Sequence, residues 1–337
     1  MKKFFITLLK FTAPFILIVL IYCIADPFKV IWPCTSYYAD GMQPRIGINK
    51  DHASASTYNQ YFSTQQYNAF IFGNSRSIFY RVADWQQHLP TSAHCFHFDA
   101  SAETLYGIHQ KVNYIHQQGR PLRHALLIVD HVLLSQTTPR SGHLFVPSPV
   151  LSGGSNWGAF HLAHISAFVS PQFLYTYADL KISGRAKPYM QANNLIDQRP
   201  TAYHAITNEL QFQAYEQQIQ QQQYYTPQLM AEFYTRPATQ QYAPQVIQQQ
   251  HRLLLQHIAQ VFQLQHTQYH IIISPLYDQL AMHPADVTTL QIIFGAAQVH
   301  NFSGINSITA NYTNYYESSH YRPHVARQIM DRVYRVE

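Results

Sequence analysis

Residues 68–77 decide the fold of this chain, and they read Asn68-Ala69-Phe70-Ile71-Phe72-Gly73-Asn74-Ser75-Arg76-Ser77. The apolar run stops abruptly at Gly-Asn-Ser, which predicts a buried strand, a tight turn that carries Ser75, and a helix behind it. Glycine tolerates the backbone angles of such a turn, and the N–H groups at a helix start can receive an anion. The stretch therefore indicates an exposed nucleophile. The alternative is a plain N-cap in a strand-turn-helix unit.

The rest of the chain alternates between strand and helix patterns. Further strands are predicted at 94–98, 125–129, 269–273 and 299–302, and helices at 78–89, 105–118, 244–264, 281–297 and 325–333. The Gln-rich residues 203–223 read as a polar helix or an excursion packed on the domain. This alternation predicts one α/β domain over 67–337, with a parallel sheet and helices on both faces. Ser75, Ser101 and Asp130 would all follow carboxyl ends of strands, where sites in such sheets lie.

The N-terminal residues 1–26 predict a membrane anchor. Lys2 and Lys3 precede a run of 22 mostly apolar residues, 4–25, whose only charge is Lys10. Such a run is long enough to cross a bilayer, and a cleaved signal peptide is the alternative. The basic N-terminus favours a cytoplasmic start, which leaves the bulk of the chain outside. Residues 27–66 are predicted to be a juxtamembrane linker.

Composition limits the classes of partner and site. The net charge is +5, only 12% of residues are charged, and the sequence contains no dense cluster of basic residues. Nucleic-acid binding is therefore not indicated. The 20 histidines are scattered without metal-ligand spacing, and no metal site or cofactor is predicted. Cys23 falls within the predicted anchor. In an oxidising compartment Cys34 and Cys95 could form a disulfide, or they could remain two separate thiols.

A second motif lies near the C-terminus, where residues 315–323 read Tyr-Tyr-Glu-Ser-Ser-His-Tyr-Arg-Pro. A carboxylate at Glu317 can accept the Nδ1–H of His320, which leaves Nε2 free to take a proton from a serine. Because serine is a poor nucleophile without an oriented base, this motif supplies what Ser75 needs. The alternative is an exposed loop that caps the following helix.

These two motifs resemble the SGNH (GDSL-like) hydrolase superfamily over residues 66–335. Gly73-Asn74-Ser75 is similar to its Gly-Asp-Ser block, and Glu317-Ser318-Ser319-His320 to its Asp-x-x-His block. The branch that the chain resembles contains membrane-anchored envelope proteins of alginate O-acetylation and teichoic acid D-alanylation. The resemblance implies a flavodoxin-like three-layer α/β/α domain with Ser75 as nucleophile and His320 as base.

The chain departs from the superfamily pattern at its oxyanion hole. Its Gly and Asn blocks are not matched at 99–101 or 129–131. The backbone N–H groups of Ser75 and Ser101 are therefore the expected oxyanion donors, in a pocket that also includes Asn74 and Arg76. Asp130 would either repel the oxyanion or hold Arg76 or a loop amide.

The functional expectation is an esterase or O-acyltransferase anchored in the bacterial inner membrane by a single span, with an extracytoplasmic catalytic domain. Its substrates would be an acylated cell-surface glycan or an acyl carrier, with a membrane-bound acyltransferase as a partner. The alternative is an inactive SGNH-like scaffold, in which the Ser75 hydroxyl does not meet His320 or Asp130 blocks the pocket. A serine peptidase of the α/β-hydrolase type is disfavoured because Ser77 stands where its elbow needs glycine.

Overall fold

The structure of the chain, a computed structural model, describes residues 2–38, 45–190, 195–197, 199 and 201–335. The residues outside the described ones are Met1 of the predicted anchor, 39–44 of the predicted linker, and 191–194, 198, 200, 336 and 337 of the predicted domain. The helices are α1 Lys2–Ala25, α2 Lys50–Gln65, α3 Val82–Gln86, α4 Leu105–Gln117, α5 His131–Leu134, α6 Trp157–Phe168, α7 Pro171–Ser183, α8 Gln213–Gln220, α9 Pro227–Met230, α10 Gln249–Leu264, α11 Pro284–Phe294 and α12 Pro323–Val333.

A five-stranded parallel sheet lies at the centre of the fold. Its strands are β1 Ala69–Gly73, β2 Cys95–His97, β3 His124–Val129, β4 Gln268–Ile273 and β5 Val299–Asn301. Their order across the sheet is β5-β4-β3-β1-β2, and every neighbouring pair is parallel. The predictions of an α/β chain with a parallel sheet are confirmed. Among the described residues, four short strand pairs lie outside the sheet: Arg45–Ile46 with Ile196–Asp197, Ala202–His204 with Glu209–Gln211, Gln241–Tyr242 with Leu280–Ala281, and Tyr315–Glu317 with His320–Tyr321.

Apolar side chains pack on both faces of this sheet. Along β1, Phe70 and Phe72 pack into one cluster with side chains of α2, α4, α10 and α11. Ala69 and Ile71 belong to a second cluster, with side chains of α3 and α12. Because side chains alternate between the two faces of a strand, a strand buried on both sides reads as a continuous apolar run. This double burial explains why the sequence of β1 shows no polar alternation.

Helix α2 corrects the prediction that residues 27–66 form a linker. Asn49 caps its first turn by accepting a hydrogen bond from the His52 backbone N–H, at 3.0 Å. Tyr58 is fully buried in the same cluster as Phe70, so the helix is part of the core. The sequence hides this helix because its buried face consists largely of alanine, serine, threonine and charged residues instead of an aliphatic stripe.

Helix α1 is long enough and apolar enough to span a membrane. The candidate span, Lys3–Ala25, has 23 residues, and its apolar window has a mean hydropathy of 2.4 with no residue buried inside the protein. At 1.5 Å per residue the helix is about 35 Å long, which exceeds the hydrocarbon thickness of about 30 Å. Its C-terminal end packs on the rest of the chain, where Tyr22 is buried.

The disulfide considered for Cys34 and Cys95 is absent, and both residues are free thiols. Cys95 is buried on β2 among the side chains of α3 and α12, and its Sγ lies 3.0 Å from Oε1 of Gln86. Cys34 packs in a different cluster with Tyr37 and Tyr38. The two thiols thus belong to separate parts of the core.

Two buried ion clusters involve the first turn of α2. In the first, the Lys111 ammonium, fully buried, pairs with Asp51 at 2.7 Å and also with Glu103. In the second, Lys50 lies 3.3 Å from Asp99, whose carboxylate also faces His97 at 3.2 Å. Burial raises the pKa of Asp99, but the nearby Lys50 and His97 outweigh burial and lower it to about 2.

Four histidines pack around Phe28 and Phe160, where α1 meets the domain: His52, His143, His161 and His164. Burial lowers the pKa of His52 and of His164 to about 4, and it also lowers the pKa of the other two. All four are therefore neutral at pH 7.

We expect the free energy of unfolding to fall as pH is lowered from about 6.5 to about 4. The unfolded histidines bind protons near pH 6.5, whereas folded His52 and His164 bind them only near pH 4, so protons favour the unfolded state in this window. Each shift corresponds to a loss of about 3 kcal/mol. Urea unfolding of the full chain in detergent at pH 7, 5.5 and 4.5 measures the slope. His164→Leu should make it shallower, and an unchanged slope in that variant would contradict the assignment.

Candidate active site

The turn after β1 presents Ser75 at the carboxyl end of the sheet. Gly73 ends the strand. A 3-10 turn, Ser77–Phe79, and the short helix α3, Val82–Gln86, follow the serine in place of the single helix predicted for 78–89. Gly73 does not have a positive φ, so the expected reason for its glycine is wrong. A Cβ there would lie 2.8 Å from the Ile128 carbonyl oxygen and 2.8 Å from Ser77 Cβ. Close approach of β3 therefore requires glycine.

Gly73→Ala is expected to lower the free energy of unfolding by about 1–3 kcal/mol, because neighbouring backbone must move to admit the methyl group. The same movement displaces Ser75, and a shift of about 1 Å at a reacting group can cost about 10²-fold in rate. Chemical unfolding and the rate of ester hydrolysis measure the two effects. Gly158→Ala is the control, since a Cβ at Gly158 meets nothing within 4 Å. Full activity in Gly73→Ala would show that the turn has room to spare.

A short hairpin presents the acid and the base. Strands Tyr315–Glu317 and His320–Tyr321 pair antiparallel, and Glu317 lies directly opposite His320. Tyr315 and Tyr321 are buried, whereas Glu317 and His320 are partly exposed. The side chains of the acid and the base therefore lie together on the accessible side of the hairpin.

Ser75, His320 and Glu317 form a continuous chain of hydrogen bonds. The Ser75 hydroxyl lies 2.8 Å from His320 Nε2, and His320 Nδ1 contacts Glu317 Oε1. An ionised carboxylate only accepts hydrogen bonds, so Nδ1 carries the proton and Nε2 accepts from the serine. Burial raises the pKa of Glu317, but the hydrogen bonds that it accepts from His320 and from the Ser319 backbone N–H outweigh burial, and the pKa lies below its ordinary value. This series of hydrogen bonds can carry the proton of the Ser75 hydroxyl to His320.

Contacts from outside the hairpin hold this geometry. Glu216 on α8 accepts hydrogen bonds from the Arg322 guanidinium at 2.7 and 3.0 Å and from the Tyr316 hydroxyl at 2.6 Å. The imidazole of His320 packs edge-on against Phe79, with ring centroids 5.8 Å apart. The sequence assigned no role to Glu216, because the Gln-rich segment around it gives no local signal.

Asp130, Asn74 and Arg76 form a network behind the serine. Asp130 caps α5 through the Leu133 N–H, at 2.9 Å, and accepts from the Asn74 amide at 2.7 Å and the Arg76 guanidinium at 2.8 Å. Arg76 also donates to the Ser319 carbonyl at 3.3 Å, beside His320. Of the two roles considered for Asp130, the structure shows the one that holds Arg76 and an amide. Arg76 thereby ties together the serine turn, the end of β3 and the histidine hairpin.

Three backbone N–H groups, in the segments that follow β1 and β2, lack a protein acceptor among the described residues. Within the described part of the chain, those of Ser75, Ser101 and Ala102 donate to no protein acceptor. Ala102 has a φ of 48°, in the left-handed region that a residue other than glycine rarely adopts. Successive N–H groups in such a turn can form a small concave anion site.

A cavity of about 580 Å³ joins these groups. It is lined by Ser75, His320, Ser101 and Ala102. Asn74, Arg76 and Asp130 do not line it, so the prediction that they belong to the pocket is wrong. Sequence patterns missed most of the other lining residues, which include Arg45, Lys50, Phe145, Arg199, Leu210, Phe212 and Tyr215. Pairing of Arg45–Ile46 with Ile196–Asp197 brings two of these distant segments together, and no local motif marks either segment.

Comparisons with protein-family models, curated proteins and solved structures gave no match to this chain. The functional argument therefore depends on the geometry of the site. Among the described residues, no group of three or more histidine, cysteine, aspartate or glutamate side chains is placed to hold a metal ion.

Proposed function

We propose that the chain is a membrane-anchored SGNH-like serine esterase or O-acyltransferase that acts on ester-linked acyl groups of a cell-surface glycan or an acyl carrier. The observation that carries this proposal is the 2.8 Å contact between the Ser75 hydroxyl and His320 Nε2, with Glu317 on the opposite ring nitrogen. A nucleophile, a base and an orienting acid in this order are what acyl transfer requires.

The proposed reaction has two halves. Ser75 Oγ attacks the acyl carbonyl while its proton passes to His320 Nε2, and the N–H groups of Ser75 and Ser101 bind the oxyanion. The C–O bond to the leaving alcohol then breaks, and His320 returns the proton to that alcohol. In the second half, water or a sugar hydroxyl attacks the acyl-serine and releases it by the same proton transfers. The acceptor decides between an esterase and a transferase.

The strand order supports the SGNH-like assignment. Numbered along the chain, the five strands lie in the order 2-1-3-4-5, which is the order of flavodoxin-like doubly wound sheets. Clusters on both faces fit a three-layer α/β/α arrangement. The serine follows the first strand, at the point where the strand order reverses.

The proposed location is the bacterial inner membrane, with α1 as a single span and the α/β domain outside the cytoplasm. The length and hydropathy of α1 support the span, and Lys3 with Lys2 before the apolar run supports the orientation. A membrane-bound acyltransferase that hands over an acyl group would be a suitable partner for a domain held at this surface.

Two observations favour catalysis over the inactive scaffold. The Ser75 hydroxyl lies within hydrogen-bond distance of His320, and Asp130 bonds to Arg76 and Asn74 and does not line the cavity.

Covalent labelling with a fluorophosphonate probe tests the proposal on the full chain in detergent. The wild type should be labelled, whereas Ser75→Ala should not be, because the attacking oxygen is gone. His320→Ala should be labelled far more slowly, since its serine has no base.

Ser152→Ala is the matched control and should be labelled like the wild type, because the Ser152 hydroxyl bonds to Asn156 and the Pro149 carbonyl instead of a histidine. A folded wild type that neither takes the label nor hydrolyses a small aryl acetate would reject the catalytic proposal in favour of the scaffold.

A further inference from the structure

We propose that helices α6 and α7, together called the α6–α7 hairpin, lie in the interfacial layer of the bilayer that α1 spans. The occupant of their exposed face would be lipid of the leaflet on the side of the domain. This inference rests on the proposed membrane anchoring and is independent of the catalytic proposal.

The outward face of the hairpin is apolar. Leu162 on α6 is 65% exposed, and on α7 Tyr175 is 66% and Ile182 is 87% exposed. Exposed positions recur at 158, 162, 166 and 169 along α6 and its C-terminal cap, and at 171, 175, 178 and 182 on α7. Steps of three and four place each set on one side of its helix. None of these eight positions carries a charged residue, and the one charged residue that is exposed on the two helices, Lys181, lies beside Ile182 near the end of α7.

The inward face of the hairpin is already occupied by protein. Phe160, Phe168 and Phe173 are fully buried in the cluster that holds the end of α1. Helix α6 contains no Asp, Glu, Lys or Arg at all. A helix that is apolar all round is normally covered on every side by protein or by membrane. The exposed side of α6 is not covered by the part of the chain that the structure describes, although its apolar composition is typical of a covered helix face.

The position of α1 identifies that partner as lipid. The ring of Tyr22, in the last turn of α1, lies 5.2 Å from that of Phe168, at the end of α6. Just after α1, the ring of Phe28 lies 4.9 Å from that of Phe173, near the start of α7. The hairpin is thus packed against the point where the span ends. Since a helix with its side chains is about 10 Å wide, its outer face lies within reach of the headgroups around the span.

The side chains at the rim of the hairpin suit this layer. Trp157 and Tyr175 are exposed, and tryptophan and tyrosine concentrate at the membrane–water boundary. Lys181 lies in the last turn of α7, where a basic group can reach lipid phosphates. The hairpin would then be a second membrane contact that fixes the orientation of the Ser75 cavity above the bilayer.

Spin labels on the full chain in phosphatidylcholine vesicles test this placement. Leu162→Cys and Tyr175→Cys carry the label in a background with the three native cysteines changed to alanine. Leu253→Cys and Ile292→Cys, on α10 and α11, are controls at positions that are 53% and 74% exposed. We expect labels at 162 and 175 to collide with oxygen and to lose accessibility to an aqueous nickel chelate, whereas the controls remain accessible to nickel.

The possible results distinguish a failure of the hairpin proposal from a failure of the proposed membrane anchoring. If the protein floats with the vesicles but labels at 162 and 175 remain open to nickel, the hairpin proposal is wrong and the anchor stands. If the protein does not float, the anchoring fails. Labels shielded from both oxygen and nickel would indicate a protein contact and would overturn the lipid assignment. Should the labelled variants not fold, quenching by bromolipids in Trp32→Phe but not in the double variant Trp32→Phe with Trp157→Phe would support the placement, and equal quenching in both would refute it. Trp32 is removed because it is exposed and its Nε1 bonds to the Cys23 carbonyl at the end of α1, where lipid would quench it in any case.

Discussion

Replacing His320 with alanine is expected to lower kcat for hydrolysis of a soluble aryl acetate by about 10⁴ to 10⁶-fold, with little change in KM. The imidazole is the group within reach of the Ser75 proton, at 2.8 Å, and without it the serine stays a weak nucleophile. Because the side chain acts on the reacting oxygen and not on distant parts of the substrate, the loss should appear in kcat. Steady-state kinetics of the full chain in detergent measures it.

The accompanying variants define how the three groups act together. Glu317→Gln should cost about 10⁴-fold or less, because a neutral amide neither fixes the proton on Nδ1 nor compensates the charge of the imidazolium. The double variant Ser75→Ala with His320→Ala should be no worse than either single variant, as expected for residues that act as a unit. Losses that multiply in the double variant would contradict the shared step. His324→Ala, whose ring bonds to Asn314 at 2.9 Å, serves as the control and should keep its activity.

Replacing Lys111 with methionine is expected to lower the free energy of unfolding by about 3–5 kcal/mol. Its ammonium is completely buried between the carboxylates of Asp51 and Glu103. Burial lowers the pKa of Lys111, but these two carboxylates outweigh burial and raise it above its ordinary value, so the group is charged. Removing it leaves two buried negative charges facing each other. Since domains are stable by only about 5–15 kcal/mol, this loss is a large part of the total.

Urea unfolding of the full chain measures the loss, with Lys187→Met as the control. Lys187 pairs with Asp179 at 2.7 Å, but its side chain is 48% exposed, and such surface pairs contribute about 1 kcal/mol or less. Adding Asp51→Asn and Glu103→Gln to Lys111→Met should recover much of the stability by removing the unpaired charges. A loss below about 1 kcal/mol in Lys111→Met would show that the cluster is solvated in the native protein.

The central sheet was predictable because its strands are short apolar runs that end in turn residues. Burial on both faces makes β1, β3 and β4 read as continuous hydrophobic segments, and local sequence is enough to find them. Helix α2 was missed for the opposite reason. Its buried face carries Lys50 and Asp51, which are stabilised by partners far away in the chain, and periodicity cannot anticipate those partners.

The candidate site divides in the same way. Ser75 ends a Gly-Asn-Ser motif, and Glu317 and His320 lie three residues apart in the second motif. The sequence was therefore enough to identify all three as candidates. Their supports could not be found locally. Glu216 lies in a Gln-rich helix and braces the hairpin through Arg322, and the role of Gly73 depends on a carbonyl of a neighbouring strand. Contacts between distant segments carry this information, and only the folded chain displays them.

The distance along the sequence between the serine and its base determines when, during synthesis and folding, the site is complete. Ser75 and His320 are 245 residues apart, and the hairpin that carries His320 is held by α8 and by the Arg76 guanidinium. A chain that has been made only as far as the sheet therefore has a serine hydroxyl of ordinary reactivity. Under the proposed topology, the nucleophile becomes reactive only after the C-terminal hairpin has crossed the membrane and docked. Under the proposed function and topology, folding outside the cytoplasm would switch the enzyme on, and acyl esters in the cytoplasm would not meet an active site.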